Sequence, residues 1–330
     1  IELYWTLFNN KNSYPFELND RIYRVNNMSK IIGFCVTLIL LRLSTLEHVF
    51  AHKETATLPK PPNCGKQFYD RLTRPSTEID DFPWTVLIEY RNSYNGQTRF
   101  NCGGSLINSR YILTAAHCIK AIPNGWEVSG ARLGEWDPTT DQDCESTNRY
   151  CADAPVDVGI EKIVVHEDYA YYKSRYNNIA LIRLNKTVDM TDYISPVCLP
   201  VEDQQRSQNL VGSTGYVSGW GRMGNGFHGN DEKLKIRSNI TDSDSCASSY
   251  GRLGVVLKHT QMCVKALDSW EPCMRGGSPF MKQEHFRDYV YLNYLYGISS
   301  MGSKSCGSKD MPDVFTNVAK YIDWIVSKME

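Results

Sequence analysis

Asn101-Cys102-Gly103-Gly104-Ser105-Leu106-Ile107-Asn108-Ser109-Arg110-Tyr111-Ile112-Leu113-Thr114-Ala115-Ala116-His117-Cys118 is the stretch on which the fold reading turns. Residues 105–113 form a β-rich run bounded by small and turn-forming residues. A lone histidine is more often structural than catalytic. His117 is different because it stands in Thr-Ala-Ala-His-Cys, shortly after Cys-Gly-Gly-Ser-Leu.

Outward from this stretch, short β-rich runs recur at 84–90, 159–166, 179–184, 215–220, 234–238 and 289–299. Gly, Asn, Asp and Pro separate them. Many short strands divided by turn signals point to closed barrels or a sandwich. One helix is expected at the C-terminus, where Val318, Tyr321, Ile322 and Ile325 share a face at helical spacing.

The 330-residue chain has room for one large β domain with flanking segments, or for two modest domains. Its formal net charge is −1, with both signs spread along the chain. No basic stripe argues for nucleic acid and no acidic tail for a solubilising extension. Eleven cysteines are many for this length. They carry no CxxC or Cys/His cluster of the zinc kind, so a disulfide framework and an oxidising compartment are expected.

The odd cysteine is Cys35. It lies in the apolar run 31–41, between Met28-Ser29-Lys30 and Arg42. That pattern reads as a signal peptide over 28–51, cleaved after Val49-Phe50-Ala51. The run is too short to span a membrane, which takes roughly 20 apolar residues, so no span is expected in the mature chain. Residues 1–27 are then expected to lie outside the mature protein. Residues 52–76, with Pro59-Lys60-Pro61-Pro62, have linker composition. The folded domain is expected over 77–330.

The pair of motifs around His117 resembles the chymotrypsin/trypsin family of serine proteases. Further marks of that family follow in order: Phe82-Pro83-Trp84, Asn178-Ile179-Ala180-Leu181, Val197-Cys198-Leu199-Pro200, Ser218-Gly219-Trp220-Gly221 and Asp313-Val314-Phe315-Thr316-Asn317-Val318. The resemblance runs from about Cys64 to the C-terminus. Arg132-Leu133-Gly134-Glu135-Trp136-Asp137 and the Cys144–Cys151 loop look like the arthropod clip-domain branch. A clip domain needs six cysteines ahead of the protease part, and residues 52–63 have none. The resemblance implies an all-β fold of two packed antiparallel Greek-key barrels with a C-terminal helix. It also implies the pairs Cys64–Cys198, Cys102–Cys118, Cys144–Cys151, Cys246–Cys263 and Cys273–Cys306.

The family cleaves peptides with a Ser nucleophile, a His base and an Asp that holds the histidine tautomer. His117 matches the base. The acid position holds Asn178, and in the family's triad an acid-to-amide change costs about 10⁴ in kcat. The nucleophile motif Cys-x-Gly-Asp-Ser-Gly-Gly-Pro is one residue short here and reads Cys273-Met274-Arg275-Gly276-Gly277-Ser278-Pro279. Aligned back from Pro279, the nucleophile position is Gly276; aligned forward from Cys273, it is Gly277. Neither has a side-chain oxygen, and losing the nucleophile costs about 10⁶ in kcat. Ser278 is displaced along the turn.

Family members are also switched on by cleavage. The new N-terminal ammonium then pairs with an Asp before the nucleophile. Here residues 70–75 lack the usual Gly pair and the Asp position aligns with Arg275, or with Gly276 in the forward alignment. An ammonium beside a buried guanidinium would be repelled.

A binding groove is expected to remain. Ser300-Met301-Gly302 matches the segment that pairs with a substrate backbone, and strand addition needs no triad. Glu271 lies near the specificity-pocket acid and would attract Lys or Arg, although a solvated loop carboxylate is the plainer reading. Asn185-Lys186-Thr187 and Asn239-Ile240-Thr241 are N-glycosylation acceptors. No cofactor is expected beyond weak calcium candidates at Glu135, Asp137 and Asp143, within an acidic loop that also holds Asp141 and Glu145.

The expected protein is a secreted, extracellular, non-catalytic protease homologue. By resemblance it would serve as adaptor, cofactor or decoy in an innate-immune cascade of the melanisation or Toll type. Its partners would be active serine proteases, zymogens or prophenoloxidase. The competing readings are an active trypsin-like endopeptidase released by cleavage at Arg71 or Arg74, a venom or salivary protease-like protein, and a functionless duplicate.

Overall fold

Asn108 bends the deciding stretch in two. Its side-chain Oδ1 accepts the backbone N–H of Arg110 at 2.9 Å and of Tyr111 at 2.8 Å. Asn side chains form such turns readily. The run expected over 105–113 is therefore the end of one strand, a tight turn and a second strand, with Ser105 opposite Leu113 and Leu106 opposite Ile112.

The computed structural model describes residues 57–67, 76–145, 150–170, 174–222, 232–267, 273–288, 290–302 and 311–329. They fall within one compact unit, 55–330. Its strands are β1 (Thr85–Asn92), β2 (Thr98–Leu106), β3 (Tyr111–Thr114), β4 (Trp126–Leu133), β5 (Val156–Val165), β6 (Ala180–Leu184), β7 (Thr214–Gly219), β8 (Gly221–Arg222), β9 (Leu234–Thr241), β10 (Gln261–Ala266), β11 (Cys273–Met274), β12 (Pro279–Arg287), β13 (Val290–Met301) and β14 (Asp313–Asn317). One barrel closes in the order β1-β2-β3-β6-β5-β4 and the other in the order β10-β14-β13-β12-β7-β9. All pairings within them are antiparallel. The short β8·β11 ribbon stands apart from both barrels.

Among the described residues the helices are α1 (His117–Lys120), α2 (Asp203–Ser207), α3 (Ser243–Gly251) and α4 (Ile322–Lys328). The expected C-terminal stripe is buried at Val318, Tyr321, Ile322 and Ile325. Its first turn, Val318–Lys320, is a 3-10 turn, so the α-helix begins only at Ile322.

One apolar core crosses from barrel to barrel. It holds Trp84, Ile112, Leu113 and Leu181 from the first, Met281, Leu295 and Ile298 from the second, and Val318 and Ile325 from the C-terminal segment. Burying each such side chain is worth roughly 1.5–3 kcal/mol, so the cleft between the barrels has a firm floor. Cys64–Cys198, Cys102–Cys118, Cys144–Cys151 and Cys246–Cys263 are disulfide-bonded. Cys273 is also in a disulfide, and Cys306 lies outside the described residues. The expected leader 28–51, residues 1–27 and the candidate cleavage sites Arg71 and Arg74 lie outside them as well.

Candidate active-site cleft and binding groove

The first barrel supplies the histidine. Thr114, at the end of β3, donates from Oγ1 to the carbonyl of Gly103 at 2.7 Å. The chain then turns into α1, which begins at His117. The Cys102–Cys118 disulfide and the bond from Tyr90 OH to the Cys118 carbonyl, 2.9 Å, fasten that turn to β2 and β1. His117 is half-buried.

Asn178 sits just ahead of β6 and is fully buried. Its partners fix its orientation. Oδ1 accepts the backbone N–H of His117 at 2.9 Å. Nδ2 donates to Ser300 Oγ at 2.7 Å and lies 2.9 Å from His117 Nδ1. Oδ1 is farther from that nitrogen, at 3.3 Å. Nδ1 therefore accepts from the amide, and the neutral ring carries its proton on Nε2. Such a ring cannot take a proton from a group in front of Nε2. Burial and the positive charge of Arg175 push the imidazole down to about 4.

The second barrel supplies the turn opposite. Gly103 N–H donates to the Gly276 carbonyl at 2.9 Å, so β2 holds the turn directly. A Cβ built on Gly276 would lie 2.1 Å from His117 Nε2. A Cβ on Gly277, where φ is +85°, would instead strike the Gly103 carbonyl at 2.2 Å. Of the two alignments, the structure places Gly276 before the imidazole and Gly277 against the neighbouring backbone. Ser278 is buried, with its Oγ beside Gly219 and Gly103. Arg275 is only half-buried, which corrects the expectation of a buried guanidinium. It donates to the carbonyl of Phe100 on β2.

Ser300 and Met301 close β13, and Gly302 follows. Asp313, at the start of β14, packs on this segment: a Cβ on Gly302 would sit 2.0 Å from its Oδ1. Glu271 lies outside the described residues. Two groove residues escaped the sequence reading. Asp313 belongs to a run read only as a family mark. Arg175 belongs to no motif, yet its Nη1 donates to the Ser300 carbonyl at 2.6 Å.

The acidic loop uses its carboxylates internally. Asp143 accepts the N–H of Trp136 at 2.8 Å, the N–H of Asp137 at 3.1 Å and Thr140 Oγ1 at 2.8 Å. Asp137 accepts from Thr139, through both N–H and hydroxyl. Glu135 accepts the Trp136 N–H and pairs with Arg132 at 3.4 Å. Among the described residues these carboxylates do not converge as a cation site. Of the glycosylation acceptors, Asn185 is exposed just after β6. Asn239 lies within β9, and its amide, turned to suit its neighbours, donates to the carbonyls of Gly212 and Ser213.

Residues 73–325 match the family described as Trypsin. This chain belongs to the trypsin family. Similar members include CLIP domain-containing serine protease B4 of Anopheles gambiae, 44% identical over 83% of this chain and 74% of that protein. Melanization protease 1 of Drosophila melanogaster is 38% identical over 82% and 68%. Phenoloxidase-activating factor 1 of Holotrichia diomphalia is 39% identical over 80% and 72%. Among solved structures, the Drosophila Grass clip serine protease of the Toll pathway superposes with a TM-score of 0.68 at 30% identity, covering 87% of this chain and 78% of that one. This trypsin-family chain has the two-barrel fold, with Asn178 and Gly276 facing His117. Among the described residues no helix is long and apolar enough to cross a membrane.

Proposed function

We propose that this trypsin-family member is a secreted, non-catalytic homologue that binds proteins in its cleft without cutting them. The observation that carries this reading is the glycine before His117. Gly276 stands there, and its backbone lies so close that even a Cβ would meet Nε2 at 2.1 Å. Acyl transfer needs a hydroxyl or thiol at that point. The Asn178 amide adds a second obstacle by holding the proton on Nε2.

The names of the relatives point to where the protein works. They speak of melanization, phenoloxidase activation and the Toll pathway. We place this chain in an extracellular cascade of that type, as adaptor, cofactor or decoy for a protease, a zymogen or a prophenoloxidase. The disulfides support an oxidising, extracellular setting. In this reading residues 28–51 are the signal peptide, 77–330 the working domain and the exposed Asn185 a glycan site.

Because the relatives are named as proteases, an active enzyme is the second reading. One experiment separates the two. The purified secreted protein, before and after tryptic nicking, is assayed on Arg- and Lys-ending chromogenic peptides, beside an affinity pull-down from haemolymph. We expect no hydrolysis above a His117→Ala control and specific capture of a cascade protein. Hydrolysis that the control loses would overturn the proposal.

A further inference from the structure

The strap between β5 and β6 reaches into the cleft through Arg175. β13 has an irregularity at this point: Ser299 pairs with Phe315 and Met301 with Val314, which leaves Ser300 outside the β14 ladder. A bulged residue keeps its backbone groups for another partner. Arg175 Nη1 takes the Ser300 carbonyl at 2.6 Å. Ser300 Oγ accepts from Asn178 Nδ2, which also donates to His117 Nδ1. Ser300 thus links the guanidinium to the imidazole.

The strap has its own anchors. Gln261 Nε2 donates to the Ser174 carbonyl at 2.8 Å, Tyr176 OH to the Val256 carbonyl at 2.6 Å, and Tyr321 OH to Asn177 Oδ1 at 2.8 Å. Arg175 and Asn177 have φ of +45° and +53°. Non-glycine residues persist there only where their surroundings hold them. Arg175 is nonetheless half-exposed. The histidine's partner is a neutral amide, and the charge felt at the ring is that of Arg175, which makes this end of the cleft cationic. Asp313 lies at Gly302, two residues along.

We propose that the groove takes an extended segment of a partner protein bearing an Asp or Glu side chain, whose carboxylate draws Arg175 off the Ser300 carbonyl and frees that edge for strand pairing. The proposal rests on the binding reading above and names the segment that the cleft prefers. A guanidinium gains from the exchange, because a carboxylate brings opposite charge and can take two parallel N–H···O bonds, whereas the Ser300 carbonyl is neutral and takes one. A Lys or Arg in the same place would meet like charge and leave the edge capped.

The test uses the whole secreted protein and three fluorescein-labelled extended peptides of one sequence, differing only in a central Glu, Gln or Lys. Fluorescence anisotropy reads their affinities for wild type, Arg175→Gln and Arg175→Glu. In wild type the Glu peptide should bind about tenfold more tightly than the Gln peptide, because only the carboxylate meets Arg175 with opposite charge and two parallel hydrogen bonds. That gap should shrink at high salt, and the Lys peptide should bind most weakly. Arg175→Gln should lose the preference for charge and bind the Gln peptide at least as well as wild type does. Arg175→Glu should prefer Lys. If either variant fails to fold, the order and salt dependence in wild type decide alone. Equal wild-type affinities for Glu and Gln, an unchanged order in Arg175→Glu, or no binding to any of these proteins would overturn the proposal. Cleavage of a peptide counts instead against the non-catalytic reading, independently of the order of affinities.

Discussion

At the scale of the residue, one proton on His117 decides what the cleft can do. Asn178 donates to Nδ1, and the imidazole, pushed down to about 4, stays neutral at physiological pH. Asn178→Asp replaces that donor with an acceptor of negative charge. The His117 pKa should then rise to 6.5 or above, read by NMR titration of the ring protons, while the protein still cuts nothing. A pKa left near 4 would show that burial and Arg175 set it whatever stands at position 178. Gly276→Ser should also fail to restore hydrolysis of Arg-ending peptides, because its Cβ would occupy space 2.1 Å from Nε2 and drive the ring away. Turnover by this single variant would show that the imidazole yields without loss of function. His117, Asn178 and a shortened Cys273–Pro279 motif without a serine at the nucleophile position could be read from motifs at fixed spacing. The choice between Gly276 and Gly277 could not, since a one-residue deletion aligns equally well from either side. Contact with Nε2 on one glycine and with the Gly103 carbonyl on the next distinguishes them. Arg175 was illegible for another reason. Its partner is a backbone carbonyl 125 residues away, exposed by a strand irregularity that no local pattern announces.

At the scale of the element, the segment leading into β1 is joined to β9 by a buried cation. Lys233 Nζ donates to the Asp81 carbonyl at 3.0 Å, and Thr77 Oγ1 donates to the Lys233 carbonyl. Trp136 Nε1 in turn donates to Thr77 Oγ1 at 3.0 Å. Burial pushes the Lys233 ammonium down to about 8, against the pull of Asp81 and nearby carboxylates. Between pH 8 and the ordinary lysine value of about 10.4 the unfolded chain binds the proton and the folded chain does not. Stability contributed by this group therefore rises with pH across that window. Urea unfolding at pH 8 and pH 10 should show the rise in wild type and lose that component in Lys233→Met. Equal pH dependence in both proteins would mean that the ammonium is solvated. The strands of this region were only partly legible. β4, Trp126–Leu133, mixes charged and small residues because part of each strand faces water, and its apolar signal is diluted. The 105–113 run looked continuous because one asparagine side chain, rather than a Gly-Pro signal, makes the turn.

At the scale of the whole molecule, two barrels share one core, and a disulfide ties the segment before the first barrel to the link between the two. Cys64 and Cys198 are separated by 134 positions. Removing both sulfurs as Cys64→Ser/Cys198→Ser should cost about 2–5 kcal/mol of stability, seen as a lower unfolding midpoint with the barrel circular-dichroism signature retained. An unchanged midpoint would mean that the apolar core alone holds the segment. The two-barrel plan was legible because the family marks lie in order along most of the chain, each tied to a turn or a cysteine. The cleft's occupant was not, because it depends on which side chains the two barrels bring face to face. Reaction with a labelled fluorophosphonate, which phosphonylates an activated serine hydroxyl, tests most directly the proposal that this cleft has no nucleophile. We expect no adduct on the secreted protein by intact-mass measurement, before or after nicking. A one-to-one adduct that disappears in His117→Ala would contradict the reading of this cleft as non-catalytic.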